Sequence, residues 1–386
     1  MDLSHPELTW TFAGMLVGGA FALFATSALL SALGGRVVIP WLVRRKLNDG
    51  EQRKASDYLN MLHADKKNTP TMGGAFLVPA MLVAAMLGGF ALTVGGADPM
   101  RVWPALATAA FAVLAHAGLG LWDDYCKLTK RGKDGISGKK KLAAQTAIAV
   151  IACTAAYRLL GDEGAVLVLP FAQIPLGALM IPLGTFVMVG ASNAYNLTDG
   201  LDGLAGGTGA IAFYALGGAA VLMAVFGGSD PSLGWTCAVL GVAASGALLG
   251  FLYWNRHPAK VFMGDTGSLS LGALLGFIAT LARLELVLAV AGGVFVAEAG
   301  SVMIQVAYFK ATKGKRIFRC SPLHHHYQFG GTHESAVTRN FWKAGMACAA
   351  FALALLPITI RHPDKPTQTP VAEQSAPQPG NAVVQR

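Results

Sequence analysis

Ten stretches of the chain are apolar enough, and at about 20 residues each long enough, to cross roughly 30 Å of hydrocarbon as a helix. They lie near residues 11–34, 72–95, 103–122, 142–160, 173–192, 204–226, 233–253, 267–283, 286–309 and 341–360. No other feature restricts the fold as strongly. In lipid every backbone N–H and C=O must be satisfied within the protein, so repeated apolar runs of this length commit a chain to helices. The expected fold class is all-α: a polytopic integral membrane protein with about ten transmembrane helices. Composition agrees, with 54% hydrophobic and 13% charged residues, about half the charged share of a soluble domain. A disordered chain, a coiled coil and a small disulfide scaffold are thereby excluded. One transmembrane unit is expected over residues 1–360. The Pro-, Gln- and Ala-rich tail from 361 to 386 lacks periodicity and reads as disordered.

Ten spans put both ends of the unit on one side of the membrane, and alternate connections then share a face. The connections 35–71, 123–141, 193–203, 254–266 and 310–340, with Lys343 at the edge, carry 24 of the 30 Lys and Arg residues. The positive-inside rule makes that face cytoplasmic and both termini extracytoplasmic. The net charge of +9 is thus accounted for by topology and anionic headgroups, and a nucleic-acid partner is not needed. The first apolar run has acidic rather than basic residues before it, and Arg36, Arg44, Arg45 and Lys46 after it. That is the pattern of a retained anchor, not a cleaved signal. The five cysteines form no metal-like spacing, and three of them (Cys153, Cys237, Cys348) sit in apolar runs as small core residues.

The polar motifs collect on the five cytoplasmic connections. KKNTPTMGG, Lys66 to Gly74, offers ammonium groups, hydroxyls at Thr69 and Thr71, and two glycines for close backbone approach. WDDYCK, Trp122 to Lys127, sets two carboxylates side by side at the end of the third span. Adjacent acids repel, and a carboxylate at a span's centre costs roughly 2.5–3.5 kcal/mol. A divalent cation would remove the repulsion, and Mg²⁺ takes one or two carboxylates plus substrate phosphates. Lys127 and the run Lys139, Lys140, Lys141 beside that pair suit a polyanionic substrate.

NAYNLTDGLDGLAGG, Asn193 to Gly207, repeats a polar group every third residue at Asn193, Asn196, Asp199 and Asp202. Its glycines argue for a helix end running into a polar loop. NRHPAKVFMGDTGS begins at Asn255, offers the ring of Phe262, and places Asp265 where it is either a site acid or a helix cap. FRCSPLHHHYQ holds three consecutive histidines, which cannot all point at one metal because helix side chains fan out by about 100° per residue. Phosphate oxygens suit them better than zinc. Within the ninth span Glu298, Ser301 and Gln305 form one polar stripe, and an ionisable group inside a span is a functional candidate.

Acidic clusters, lysines and histidines on one membrane face describe an enzyme that meets a phosphorylated soluble substrate and a lipid co-substrate at the boundary. A secondary transporter would instead gather polar groups at the midplane with repeat symmetry. Only Glu298 and its neighbours are deep, and no repeat is evident.

In their order, KKNTPTMGG, DDYCK, NAYNLTDGLDGLAGG, FMGDTGS and SPLHHHYQ resemble the phospho-N-acetylmuramoyl-pentapeptide-transferases, within the polyprenyl-phosphate N-acetylhexosamine-1-phosphate transferases. The resemblance runs from about Lys66 to Trp342. It implies a Mg²⁺-dependent glycosyl-1-phosphate transferase of the bacterial cytoplasmic (inner) membrane, with its active site facing the cytoplasm. It implies that undecaprenyl phosphate attacks the β-phosphate of UDP-N-acetylmuramoyl-pentapeptide, giving lipid I and UMP, the first membrane step of peptidoglycan synthesis. It further implies a homodimer in the lipid bilayer. By motif, Asp123 and Asp124 match the family's aspartate pair and Asp265 its Mg²⁺ ligand, with the pair as further candidate ligands. Asn193, Asn196 and Asp199 match its Asn/Asp-rich motif near the nucleotide. Lys66, Thr71, Lys127 and Lys141 match substrate-binding positions, as does Asn255. Phe262 and Gln305 match the uridine pocket, and His324, His325 and His326 the His motif. Asn68 and Gln328 depart from the common Gly and Glu. The alternative is a sibling enzyme using UDP-N-acetylglucosamine; TPTMGG and LHHHYQ favour the muramoyl-peptide branch.

Overall fold

The computed structural model describes residues 6–45, 47, 66, 68–129, 135–169, 172–226 and 230–360, with side chains from Val17 onward except at 163 and 357–360. Lys46, Lys67 and the tail from 361 to 386 lie outside the described residues, so the readings made for them rest on sequence alone.

Helices follow the apolar runs. They are α1 (Pro6–Arg44), α2 (Gly74–Val94), α3 (Pro99–Leu128), α4 (Gly138–Leu160), α5 (Met180–Thr198), α6 (Leu204–Val225), α7 (Pro231–Asn255), α8 (Gly264–Ala282), α9 (Glu285–Ala291), α10 (Gly293–Ala311), α11 (Leu323–Gln328) and α12 (Glu334–Ile360). Among the described residues nine helices are long and apolar enough to cross a membrane, which makes this an all-α polytopic membrane protein. The tenth expected run, 341–360, forms the C-terminal part of α12, which falls outside that set.

Three details differ from the expectation. Run 286–309 is not one helix, because Gly292 and Gly293 divide it into α9 and α10. Two adjacent glycines lower helix propensity by roughly 1 kcal/mol each relative to alanine, which makes this the cheapest place to break. The connection after α4 contains a short antiparallel pair, β1 (Val166–Leu169) and β2 (Ala172–Pro175), with Val166 opposite Pro175. Its β-branched residues suit a pleated surface.

The third difference concerns α8. Its run, 267–283, carries the weakest sequence signal of the ten, yet every residue from Thr266 to Ala282 is buried. It packs against α3 and α5 most extensively, and also against α2, α4, α6 and α7. A helix surrounded by protein need not be strongly lipophilic, and small residues such as Ser268, Ser270, Gly272 and Gly276 let its neighbours approach closely. By contrast α1 exposes Val17, Phe21, Leu29, Val37 and Trp41, as a lipid-facing helix must. The buried post α8 rises from Asp265 in its first turn, so the fold itself brings the other motifs around that residue.

Candidate active site

Asp124 enters from the last turns of α3 and caps the first turn of α8. Its Oδ1 accepts the Asp265 N–H at 3.1 Å, and its Oδ2 accepts the Thr266 N–H at 3.1 Å and the Thr266 hydroxyl at 2.8 Å. The first N–H groups of a helix have no partner within it, and a carboxylate there is doubly suited by hydrogen bonding and by the helix dipole. Asp265 is therefore not the cap of its own helix, and its carboxylate is turned to other partners. Two glycines make the approach possible. A side chain at Gly120 would collide with the Asp265 carbonyl. Gly264 has φ +72°, and a Cβ there would stand 2.8 Å from Asp124 Oδ2 and 2.9 Å from Thr71 Oγ1.

Asp123, one residue earlier, faces the other way. Its Oδ1 accepts the Ile136 N–H at 2.6 Å, from the loop that leads into α4. Its Oδ2 lies 2.8 Å from Lys127 Nζ and 3.2 Å from Lys141 Nζ. The same two ammonium groups reach Asp265 Oδ2, at 3.1 Å from Lys127 and 2.5 Å from Lys141. Asp265 Oδ1 accepts the Asn196 amide at 2.9 Å, and that amide also donates to Ser268 Oγ at 2.8 Å. Four helices thus contribute to one centre: α3 (Asp123, Lys127), α4 (Lys141), α5 (Asn196) and α8 (Asp265). Asp123 and Asp124 are buried, whereas the Lys127 side chain is 42% exposed and marks the open side.

The other expected site residues divide into two groups. Asp199 follows the end of α5 on the loop to α6, and Phe262 sits half-buried on the loop before α8, near the centre in sequence and on the same face. Thr71 is buried against Gly264. Four residues are instead engaged with the protein itself. Asn193 donates to Gln145 Oε1 and to its own helix at Val189. Asn255 is buried, accepts the Gly203 N–H at 3.0 Å and donates to the Val261 carbonyl at 2.9 Å, tying two loops together. Gln305 accepts both Ile317 and Phe318 N–H at 3.0 Å and donates to the Phe318 carbonyl. Lys66 is held by Asp202 Oδ1 at 2.7 Å and Glu334 Oε1 at 2.5 Å.

The histidines diverge, as helix geometry requires. His324 is buried, and its Nδ1 and backbone N–H both meet the carboxylate of Glu298 at 3.1 Å. His325 Nδ1 pairs with Gln328 at 2.8 Å, and His326 Nδ1 accepts the Arg319 N–H at 3.1 Å. The polar stripe of the ninth run is thereby explained: Glu298 orients His324, and Gln305 holds the loop before α11.

Sequence reasoning passed over the cluster around Lys66. Asp202 Oδ2 also receives the Ala259 N–H at 3.0 Å and faces His257 Nδ1 at 3.0 Å, and Glu334 Oε1 receives the Asp202 N–H at 2.7 Å. Asp202, His257 and Glu334 could by spacing hold a metal ion, but the Lys66 ammonium already sits between the two carboxylates. His257 stands in the motif that begins at Asn255, but nothing local pairs it with Asp202. Only the acidic residue at the start of a helical run hinted at Glu334.

Residues 106–283, which contain the aspartate pair, the Asn/Asp motif and Asp265, match glycosyl transferase family 4. The phospho-N-acetylmuramoyl-pentapeptide-transferase of Desulfovibrio desulfuricans is 38% identical over 367 residues, covering 92% of this chain and 98% of that protein. The enzyme of the same name from Shouchella clausii is 41% identical over 347 residues, covering 88% and 96%. That of Synechococcus elongatus is 42% identical over 326 residues, covering 81% of each. With similarity of this extent running nearly end to end through the helices and loops that build the centre, the chain belongs to the phospho-N-acetylmuramoyl-pentapeptide-transferase family of membrane phosphosugar transferases.

Proposed function

We propose that the protein transfers phospho-N-acetylmuramoyl-pentapeptide from its UDP conjugate to undecaprenyl phosphate, releasing UMP and forming lipid I. The observation that carries this reading is the shared pair of ammonium groups between Asp123 and Asp265. Phosphoryl transfer needs positive charge on the phosphates and little covalent help from the protein. Lys127 and Lys141 supply that charge, and in the free protein the two carboxylates neutralise it. A pyrophosphate that takes the lysines leaves Asp123 and Asp265 with oxygens free. Oxygens of two carboxylates beside substrate phosphates form a hard-ligand set of the kind Mg²⁺ takes. Asp265 and Asp123 would hold it, and the ion would supply screening of the pyrophosphate charge. Asp124 has both oxygens occupied by α8, so we give it a supporting place rather than a catalytic one.

An oxygen of the lipid phosphate attacks the β-phosphorus, the bond from that phosphorus to the UMP oxygen breaks, and UMP leaves. A phosphate monoester is largely ionised above its second pKa of about 6, so the attack needs little help from a base. We assign Asp123 to orienting that phosphate. Asn196, Asp199, Phe262, His325 and His326 are the residues we assign to the nucleotide side. The arrangement of basic residues supports an active site facing the cytoplasm from the bacterial inner membrane, and family likeness supports a homodimer.

The test is a purified-protein assay with undecaprenyl phosphate and either UDP-N-acetylmuramoyl-pentapeptide or UDP-N-acetylglucosamine. UMP should appear only with the muramoyl substrate, lipid phosphate and Mg²⁺ together. Turnover with UDP-N-acetylglucosamine and none with the muramoyl substrate would replace this reading by the sibling one.

A further inference from the structure

One helical turn below the lysine-bridged centre, a second layer of polar groups lies inside the protein. Gln145 on α4 is fully buried, as is Ser192 on α5. The Gln145 amide donates to Ser192 Oγ at 3.2 Å, and the Ser192 hydroxyl donates to the Leu269 carbonyl of α8 at 2.9 Å. Gln145 Oε1 accepts the Asn193 amide at 3.1 Å. Three of these residues stand four places from a member of the centre: Gln145 from Lys141, Ser192 from Asn196, and Leu269 from Asp265. α4 and α8 begin at the face that carries the motifs and α5 ends there, so all three steps lead about 6 Å deeper.

We propose that Gln145 is a positioning residue, which acts through Ser192 to set Lys141 in register with Asn196 and Asp265. An amide in the apolar run 142–160 is costly unless its polar atoms are partnered, and both the oxygen and the nitrogen of Gln145 are. Packing alone holds α5 to α8, since a Cβ at Gly272 would stand 2.6 Å from Ser192 Cα. α4 packs less extensively against α8 than α3 or α5 does. Gln145 ties α4 to that pair directly beneath Lys141, whose flexible stem does not fix its ammonium by itself. A fully satisfied buried network holds one arrangement of the elements it joins. The kinetic consequence rests on the transfer reaction proposed above, whereas the placement of Lys141 does not.

Gln145→Leu removes both hydrogen bonds at nearly constant volume. The Lys141 side chain is 15% exposed, between Asp123 and Asp265. In the variant it should react about fivefold faster with acetic anhydride, read by peptide mass spectrometry, while exposed Lys139 on the same helix reacts as before. In the transfer assay kcat should fall about tenfold, with KM for undecaprenyl phosphate changed by less than about twofold. Ser192→Ala, a smaller change, should do the same. The double variant should lose about tenfold rather than the roughly hundredfold of independent sites. Thr185→Val, a buried change about two turns deeper on α5, is the control and should alter neither readout. If Gln145→Leu is not monodisperse in detergent, Ser192→Ala alone decides. Unchanged Lys141 labelling or unchanged kcat in the folded variants, an equal loss in Thr185→Val, or a multiplicative loss in the double variant overturns the proposal. A wild type inert with both UDP-sugars removes the transfer reading instead, and the labelling still decides the placement of Lys141.

Discussion

Two clusters on the same membrane face each pair lysine with two carboxylates, and they are built for opposite purposes. Around Lys66, the carboxylates of Asp202 and Glu334 also accept backbone N–H groups from Asp202 and Ala259, and Thr338 donates to the Asp202 carbonyl at 3.2 Å. The ammonium is one of several donors in a closed network that joins the loop before α2, the α5–α6 loop, the α7–α8 loop and the start of α12. Around Asp265 there is far less backbone. Its carboxylate meets two lysines and one amide, and among the described residues Asp123 is the other carboxylate that those lysines reach. Charges met mainly by side chains can exchange them for a ligand. Charges satisfied by backbone cannot do so without unfolding the loops. Similar composition therefore yields a clamp in one place and a binding centre in the other.

That contrast can be broken by substitution, and the largest effect should fall on the exchangeable centre. Asp265→Asn should lower kcat by about a thousandfold and alter the Mg²⁺ dependence, with thermal stability nearly unchanged. Wild-type Mg²⁺ response in that variant would remove Asp265 from the ion's site. Asp123→Asn should lower kcat by about a hundredfold while donor affinity stays close to wild type. If Asp123 merely aids deprotonation of the lipid phosphate, raising the pH well above the monoester's second pKa of about 6 restores part of the rate. A variant that binds donor and Mg²⁺ yet stays inactive at every pH counts against a base role, and a phosphosugar trapped on Asp123 or Asp124 would overturn direct attack.

The clamp should respond in stability. Glu334→Ala takes one of two carboxylates from half-buried Lys66 and the acceptor from the Asp202 N–H, and should cost about 1–3 kcal/mol, read as a lower melting temperature in detergent, with donor KM kept below that temperature. An unchanged melting point with a raised donor KM would move Lys66 back to the substrate side. The smallest effect sharpens the same distinction at Gln305. If it only holds the loop at Ile317 and Phe318, Gln305→Ala should cost about 1 kcal/mol and leave uridine-nucleotide affinity alone. A donor KM raised without loss of stability would make it a nucleotide contact.

Much of the centre was legible because the motifs sit at the ends of apolar runs, and run parity puts those ends on one face. Asp123, Lys127, Lys141, Asn196 and Asp265 needed only that to be grouped. The divergence of His324, His325 and His326 followed from helix geometry alone. The clamp was not legible, since Glu334 and His257 are 132 and 55 residues from Asp202 and no local pattern pairs them with it. Asn255 and Gln305 sit in polar motifs like the others, and a sequence cannot show that backbone groups occupy their amides. Nor could it show which acid of an adjacent pair caps a distant helix.

The sequence by itself determined that this chain lies in a membrane as helices, and which ends of those helices carry chemistry. Both follow from local quantities, the length of apolar runs and the sign of charge beside them, which the bilayer reads residue by residue. The tertiary structure decided which polar groups remain free to act. A carboxylate or amide is committed to structure or available to a ligand according to the partners that distant segments bring within hydrogen-bonding reach. The buried post α8, the least conspicuous run in the sequence, sets those distances because α2 to α7 all pack around it.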